Sequence, residues 1–329
     1  MKKFKALWVE EKNDGSFTRG ISERSIDSLP QNDILIRVHY SSLNYKDALS
    51  ARGHKGITRK YPFTPGIDAA GIVEEDRSGK FKPGQEVIVT GYDLGMNTSG
   101  GFGQYIRVPS EWAVKLPAGI SLKKSMMYGT AGFTAGICIH EFLVHDITPD
   151  KGKILVTGAT GGVGSCAVGM LSKIGFDVIA STGKDAADYL NGLGAKDIAG
   201  REDILDKKGR PILSARWSGV IDNVGGSTLA DVIKSTDRRG IVCCLGNVAG
   251  DKFESYVYPF ILRGIKLVGI DSAERPMELR LKIWDKIASN WGFNIENIIK
   301  EVSLEDLEPE IQKILEGGQK GRVLVNLKD

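Results

Sequence analysis

The sequence lacks most of the features that would place it outside ordinary globular proteins. Its four cysteines, at 138, 166, 243 and 244, form no framework of spaced pairs, so a disulfide scaffold is excluded and a reducing cytoplasm is expected. Cys243 and Cys244 are adjacent, and in a strand they would point to opposite faces, which fits core filling rather than redox chemistry. No apolar run reaches the roughly 18 to 20 residues that a bilayer-spanning helix needs, so no membrane partner is expected. The basic start, Met1-Lys2-Lys3-Phe4-Lys5, runs into Glu10, Glu11 and Lys12 instead of the apolar core of a signal peptide. Charge is nearly balanced, with 44 basic against 41 acidic residues, and a net +3 gives no call for nucleic acid. There is no internal repeat and no low-complexity stretch. What remains is a normal globular balance, 41% hydrophobic and 26% charged, on a chain long enough for two cores.

Hydrophobic periodicity divides the chain. In Ile34-Leu-Ile-Arg-Val-His-Tyr40, Ile34, Ile36, Val38 and Tyr40 share one face while Arg37 and His39 share the other, which predicts a strand. Residues 69–74 and 85–90 predict further short strands, separated by turns such as Lys82-Pro83-Gly84, and 44–52 predicts a helix. Glycines 95, 100, 101 and 103 mark a loop that is either flexible or closely approached. From about residue 122 the period changes. Strands at 153–157, 177–181, 218–223 and 240–245 alternate with helices near 163–174, 185–192 and 227–236, the pattern of a parallel, doubly wound sheet. Two helices, 279–289 and 304–315, precede a last strand at 322–326, which is expected to return and pair with the first domain.

Thr157-Gly-Ala-Thr-Gly-Gly-Val-Gly164 lies between a predicted strand and a predicted helix. Ala159, Gly161 and Gly164 fit the dinucleotide fingerprint, with alanine in the first glycine position. Small residues let the chain turn tightly and approach a pyrophosphate, whose charge then meets the helix N-terminus. The fold expected is therefore α/β with a Rossmann domain. At the second-strand end, an NAD site wants a carboxylate for the ribose 2′-hydroxyl. This chain has Ser181-Thr-Gly-Lys184, two hydroxyls and a cation, which suits the 2′-phosphate of NADPH.

With these motifs in place, the chain resembles the YhdH/YhfP-type quinone oxidoreductases, a zinc-free branch of the medium-chain dehydrogenases/reductases that includes acrylyl-CoA reductases. Ser41-Ser-Leu-Asn-Tyr-Lys-Asp47, Pro65-Gly-Ile-Asp-Ala-Ala-Gly71, Gly129-Thr-Ala-Gly-Phe-Thr-Ala135, Tyr258-Pro-Phe-Ile-Leu-Arg-Gly264, Gly269-Ile-Asp-Ser272 and Gly321-Arg-Val-Leu-Val325 carry the likeness from end to end. The resemblance implies a GroES-like, β-rich catalytic domain at 1–121, an NADPH-binding Rossmann domain at 122–265, a return to the catalytic domain at 266–329, and a homodimer. It implies cofactor contacts from Tyr45, from Thr160, Gly161, Gly162, Val163 and Gly164, and from Ser181, Thr182 and Lys184. It adds Arg201, Asn247, Ile261, Ser272 and Arg322. Lys184 stands where relatives often have arginine, which keeps the charge and loses the fork.

Zinc-dependent relatives place a cysteine near the segment that is Asn44 to Asp47 here, and a histidine after the glycine that is Gly66 here. This chain has neither, so no metal is expected. The function implied is hydride addition to an activated C=C bond, with an enoyl-CoA thioester of the acrylyl-CoA kind as substrate, and Tyr45 as the catalytic residue. The alternatives are NADPH:quinone reduction and a nucleotide-binding sensor without turnover. Lys55, Arg59 and Lys60, just past the Asn-Tyr helix, are expected to answer the phosphates of coenzyme A.

Overall fold

The computed structural model describes residues 2–328, and the chain divides into two compact units. Unit one runs to Thr130 and includes Ala273–Ala288 and the residues from Glu296 onward; unit two is Ala131–Ser272 and Ser289–Ile295.

Unit one opens with an antiparallel hairpin, β1 (Lys3–Glu11) and β2 (Phe17–Ser25). It continues with β3 (Ile34–Leu43), the helix α1 (Tyr45–Ala51), β4 (Asp68–Asp76), β5 (Glu86–Thr90), β6 (Tyr105–Val108) and β7 (Ala113–Lys115). The long helix α2 (Leu122–Val144) crosses the division between the units. Unit two holds β8 (Ile154–Val156), α3 (Gly162–Lys173), β9 (Val178–Thr182), α4 (Ala187–Gly192), β10 (Asp197–Gly200) and β11 (Trp217–Asp222). It ends with α5 (Gly226–Ser235), β12 (Thr236–Cys244), α6 (Tyr258–Arg263) and β13 (Lys266–Gly269). The chain then gives unit one α7 (Met277–Ala288), β14 (Ile299–Ser303), α8 (Leu307–Leu315) and β15 (Arg322–Asn326).

The alternation in β3 does what its period requires. Ile34, Ile36 and Val38 are buried with Leu7, Val9, Val73, Val87, Val89, Ile106, Val323 and Val325 in one apolar cluster, while Arg37 faces solvent. Each such side chain contributes roughly 1.5–3 kcal/mol when fully buried. The sheet order is β14-β15-β3-β4-β5-β7, with β6 also on β3. The final strand does return: β15 pairs antiparallel with β3, Val323 opposite Leu43 and Asn326 opposite Tyr40.

The six strands of unit two are all parallel, in the order β10-β9-β8-β11-β12-β13. Counted within the unit that is 3-2-1-4-5-6, the doubly wound order that reverses between β8 and β11 and takes ligands outside the carboxyl ends of those strands. β8 and β11 are wholly buried, as central parallel strands must be.

The predicted strands and helices are all present within a few residues of their expected bounds. The structure adds β1, β2, β6, β7, β10, β13 and β14, and the helices α2 and α6. Of these, β10, β13 and β14 are sheet edges with half or more of their residues out of the core, so they carry no apolar run to read. The glycine loop is closely approached: Gly100, Gly101 and Phe102 N–H groups donate to the carbonyls of Thr64, Gly66 and Pro65 at 2.8, 2.8 and 3.0 Å. Cys243 is buried and Cys244 half-buried, on opposite faces of β12.

Candidate active site

In unit two, the turn after β8 is fastened at several points. The Ala159 N–H donates to the Ser181 carbonyl at 3.0 Å, tying the turn to the end of β9. A Cβ on residue 164 would stand 2.7 Å from the Ala159 Cα, so only glycine lets α3 start this close to the turn. The first N–H groups of that helix, at Gly162, Val163 and Gly164, lack intrahelical acceptors and suit an anionic ligand. Behind the turn, the Thr157 hydroxyl donates to buried Asp222 at 2.7 Å and accepts from the Asn223 N–H at 3.0 Å; the Asn223 amide donates to the Thr157 carbonyl at 2.8 Å. The other Asp222 oxygen accepts from the Gly225 N–H at 2.8 Å. Burial pushes the Asp222 carboxyl up, against the pull of these donors. One carboxylate thus joins the loops after β8 and β11, the two strands at the sheet's reversal.

The second-strand residues gather beside this turn. Thr160 and Thr182 hydroxyls lie 3.5 Å apart, and the Lys184 N–H donates to the Thr182 hydroxyl at 3.1 Å. Ser181 is buried, while Lys184 is exposed. Arg201, which opens a short 3-10 turn after β10, reaches back so that its Nη2 lies 3.2 Å from where a Cβ of residue 183 would stand. The structure therefore brings Arg201 to Ser181, Thr182 and Lys184. Asn247 is exposed in the loop after β12, and its Cα packs against Gly225. Ile261 is 69% exposed on α6, so it is no core residue. Ser272 is the last residue of unit two before Ala273, whose carbonyl accepts from the Tyr92 N–H and from Arg280 Nη2, each at 3.0 Å.

In unit one, Tyr45 is the first residue of α1 and is 51% exposed. The Asn44 N–H donates to Asp47 at 2.8 Å, half of a capping box. The Asn44 side chain is diverted elsewhere. Its amide donates to Asp68 at 2.8 Å and to Asp47 at 3.2 Å, and its oxygen accepts from Arg322 at 3.1 Å. Asp68 also accepts from the Ser42 hydroxyl at 2.5 Å, the Thr130 hydroxyl at 2.6 Å and the Thr130 N–H at 3.0 Å. Arg322 is 2% exposed; its remaining donors go to Ser42 Oγ and to the carbonyls of Leu43 and Met127, and its Nη2 stands 4.0 Å from Asp68. Arg322 is thus a buried brace under Asn44, with most of its N–H groups spent on the protein. Burial, then the Asp68 carboxylate, push Asp47 up to about 7, against the pull of N–H donors from Asn44 and Ile67.

Asn44, Asp47, Asp68 and Thr130 were not picked out as site residues by the sequence. The Asn44–Asp47 spacing is a readable capping signal; Asp68 has none, because its partners come from distant stretches. In the basic loop Lys55, Arg59 and Lys60 are all exposed; Lys55 pairs with Glu11 and lies over the rings of Phe17 and Tyr61.

Residues 30–118 match the family described as alcohol dehydrogenase GroES-like domain, and 162–289 the one described as zinc-binding dehydrogenase. The residues do not fit the zinc of that description. Among the described residues no group of three or more His, Cys, Asp or Glu side chains is placed to hold a metal, and Asp47 and Asp68 are already occupied by N–H and O–H donors. Over 327 residues the chain is 43% identical to the putative quinone oxidoreductase YhfP of Bacillus subtilis, covering 98% of this chain and 99% of that protein. A solved structure of yhfP with NAD bound superposes with a TM-score of 0.96 over 99% of this chain and 100% of that one. The acrylyl-CoA reductase AcuI of Ruegeria pomeroyi is 39% identical, over 98% of this chain and 99% of that protein. The yhdH oxidoreductase of Salmonella enterica, solved in complex with NADP, is 38% identical with a TM-score of 0.95, over 98% and 100% of the two chains.

Proposed function

The chain belongs to the YhdH/YhfP-type quinone oxidoreductases and acrylyl-CoA reductases, within the medium-chain dehydrogenases/reductases, and from that premise we propose that it is an NADPH-dependent reductase of an activated C=C bond, its substrate an enoyl thioester of the acrylyl-CoA kind. The observation that carries the cofactor half is Arg201 folded back onto Gly183, beside Ser181, Thr182 and Lys184. The identity with a protein named acrylyl-CoA reductase supports the substrate half.

NADPH, when bound, supplies the hydride. The N–H groups of Gly162, Val163 and Gly164, with Thr160 and Gly161 shaping the turn, take the pyrophosphate. Ser181 and Thr182 donate to the 2′-phosphate, Lys184 gives it a point charge and Arg201 a fork. Asn247, Ile261 and Ser272 complete the cofactor contacts. Hydride addition at the β-carbon would place charge on the thioester oxygen, to which Tyr45 would offer its phenol O–H, and the α-carbon would then take a proton from that phenol or from water. Arg322 acts through Asn44 to hold the start of α1, and so Tyr45, in place. We read the protein as a cytoplasmic homodimer; the exposed Tyr258 and Leu262 of α6, and the open edge strand β13 that follows it in the chain, support the second subunit.

The alternative is quinone reduction, favoured by the 43% identity with a putative quinone oxidoreductase. NADPH oxidation with acrylyl-CoA, crotonyl-CoA and a quinone, across a salt series, separates the two. The thioester is expected to have the higher kcat/KM and to lose it as salt screens Arg59 and Lys60. A faster quinone assigns the alternative. Tyr45→Phe is expected to lower kcat about 100-fold; unchanged turnover would make Tyr45 a binding residue and water the proton source.

A further inference from the structure

A hydrogen-bonded ring in unit two has no part in the function described so far. The Tyr189 hydroxyl, on α4, lies 2.8 Å from the Ser165 hydroxyl on α3, and Ser165 donates to the Ala159 carbonyl at 3.2 Å. A carbonyl only accepts, so the single Ser165 proton goes to Ala159 and Tyr189 must be the donor to Ser165. Ala159 is held from its other side as well, since its N–H donates to the Ser181 carbonyl. The chain itself closes the ring, running from Ser181 through Thr182, Gly183 and Lys184 to Tyr189. Its middle, residues 183–185, is exposed, while Ser181 and Ala186 are buried. The segment that carries Lys184 and the two hydroxyls for the 2′-phosphate is therefore tied at both ends to one residue of the glycine turn. Burial pushes the Tyr189 phenol up to about 12, so it remains a donor at any physiological pH.

We propose that Tyr189 is a positioning residue for NADPH over NADH: through Ser165 and Ala159 it fixes the distance between the pyrophosphate turn and the segment that meets the 2′-phosphate. This rests on the NADPH assignment above. Without the tie, the segment keeps its Ser181 bond and the burial of Ala186 and Leu190, but the turn and the 2′-phosphate segment lose the bond from α4 that sets their spacing, and that spacing has to be fixed when the cofactor binds. That cost falls on a ligand that reaches the segment. NADH, which has no 2′-phosphate, is spared most of it. A tyrosine that merely fills space and satisfies its own hydroxyl would lower stability without favouring either cofactor.

Tyr189→Phe keeps the ring and removes the donor. Expected is a KM for NADPH raised about 3- to 10-fold, the worth of one hydrogen bond, with kcat unchanged and the KM for NADH moved less than about twofold on the same scale. Ser165→Ala, which removes the middle of the chain, should reproduce the loss, and the double variant should add little to either. Because both cofactors are measured on one preparation, a partly unfolded variant lowers both rates and leaves the ratio of KM values intact. Lys184→Ala separates the two levels of failure. If Lys184→Ala raises the NADPH KM and Tyr189→Phe leaves the NADPH:NADH ratio at the wild-type value, the positioning role alone is overturned. If Lys184→Ala also leaves that ratio untouched, the NADPH assignment falls and takes the inference with it.

Discussion

Asp47 and Asp68 are both fully buried, and one amide, that of Asn44, donates to each. Burial, and then the Asp68 carboxylate close by, raise Asp47 from 3.8 to about 7. Because the folded-state value lies above the ordinary one, the stability Asp47 contributes is complete below about pH 4 and is lost as pH rises through about 7. Asp47→Asn removes that titration. Its deficit relative to the wild type should therefore shrink as pH rises over that span, by up to about 1.4 kcal/mol per unit. Urea unfolding of both proteins across the range measures it, and a constant deficit would show that Asp47 is ionised throughout. At this scale the sequence is legible only where partners are near. The Asn44–Asp47 spacing and the Ser181-to-Lys184 run can be read in a single window. Asp68 and Arg322 look like a strand start and a surface arginine until β3, β4 and β15 bring them together.

Among the elements, α2 is not predicted by the sequence pattern, and it is broken within its length. Its apolar residues run on as one helix, yet at Gly129 the backbone turns to φ 51°, ψ −153°, which re-aims the Thr130 N–H onto Asp68. A side chain there would stand 2.6 Å from Asp68 Oδ2 and 2.8 Å from Arg322 Nη2. Gly129→Ala combines backbone strain with overpacking and should cost about 2–5 kcal/mol. A denaturant midpoint within error of wild type would mean that the chain straightens through the break at no cost. The sequence pattern places no helix here, and the acceptor that fixes the break, Asp68, lies far away in sequence. The Rossmann alternation was legible for the opposite reason, each strand, turn and helix announcing itself within about fifteen residues.

For the whole molecule, association is the property most open to test. β13 ends its sheet, and α6, just before it in the chain, exposes Leu262 at 54%. Light scattering should give twice the chain mass for the wild type and the chain mass for Leu262→Asp, which places a charge where two copies would meet. A wild type at single mass would remove the dimer. The place of β15 has a consequence for how the protein is made. It lies between β14 and β3, in the interior of a sheet whose other strands, β14 apart, come from residues 34–115. A ribosome that has released residue 295 has delivered all of unit two, while unit one still lacks β14 and β15. The middle of the chain is therefore free to fold first. Until the last strand emerges, the Tyr40–Leu43 stretch of β3 keeps an edge of unpaired backbone, the kind of surface on which nascent chains aggregate or engage a chaperone.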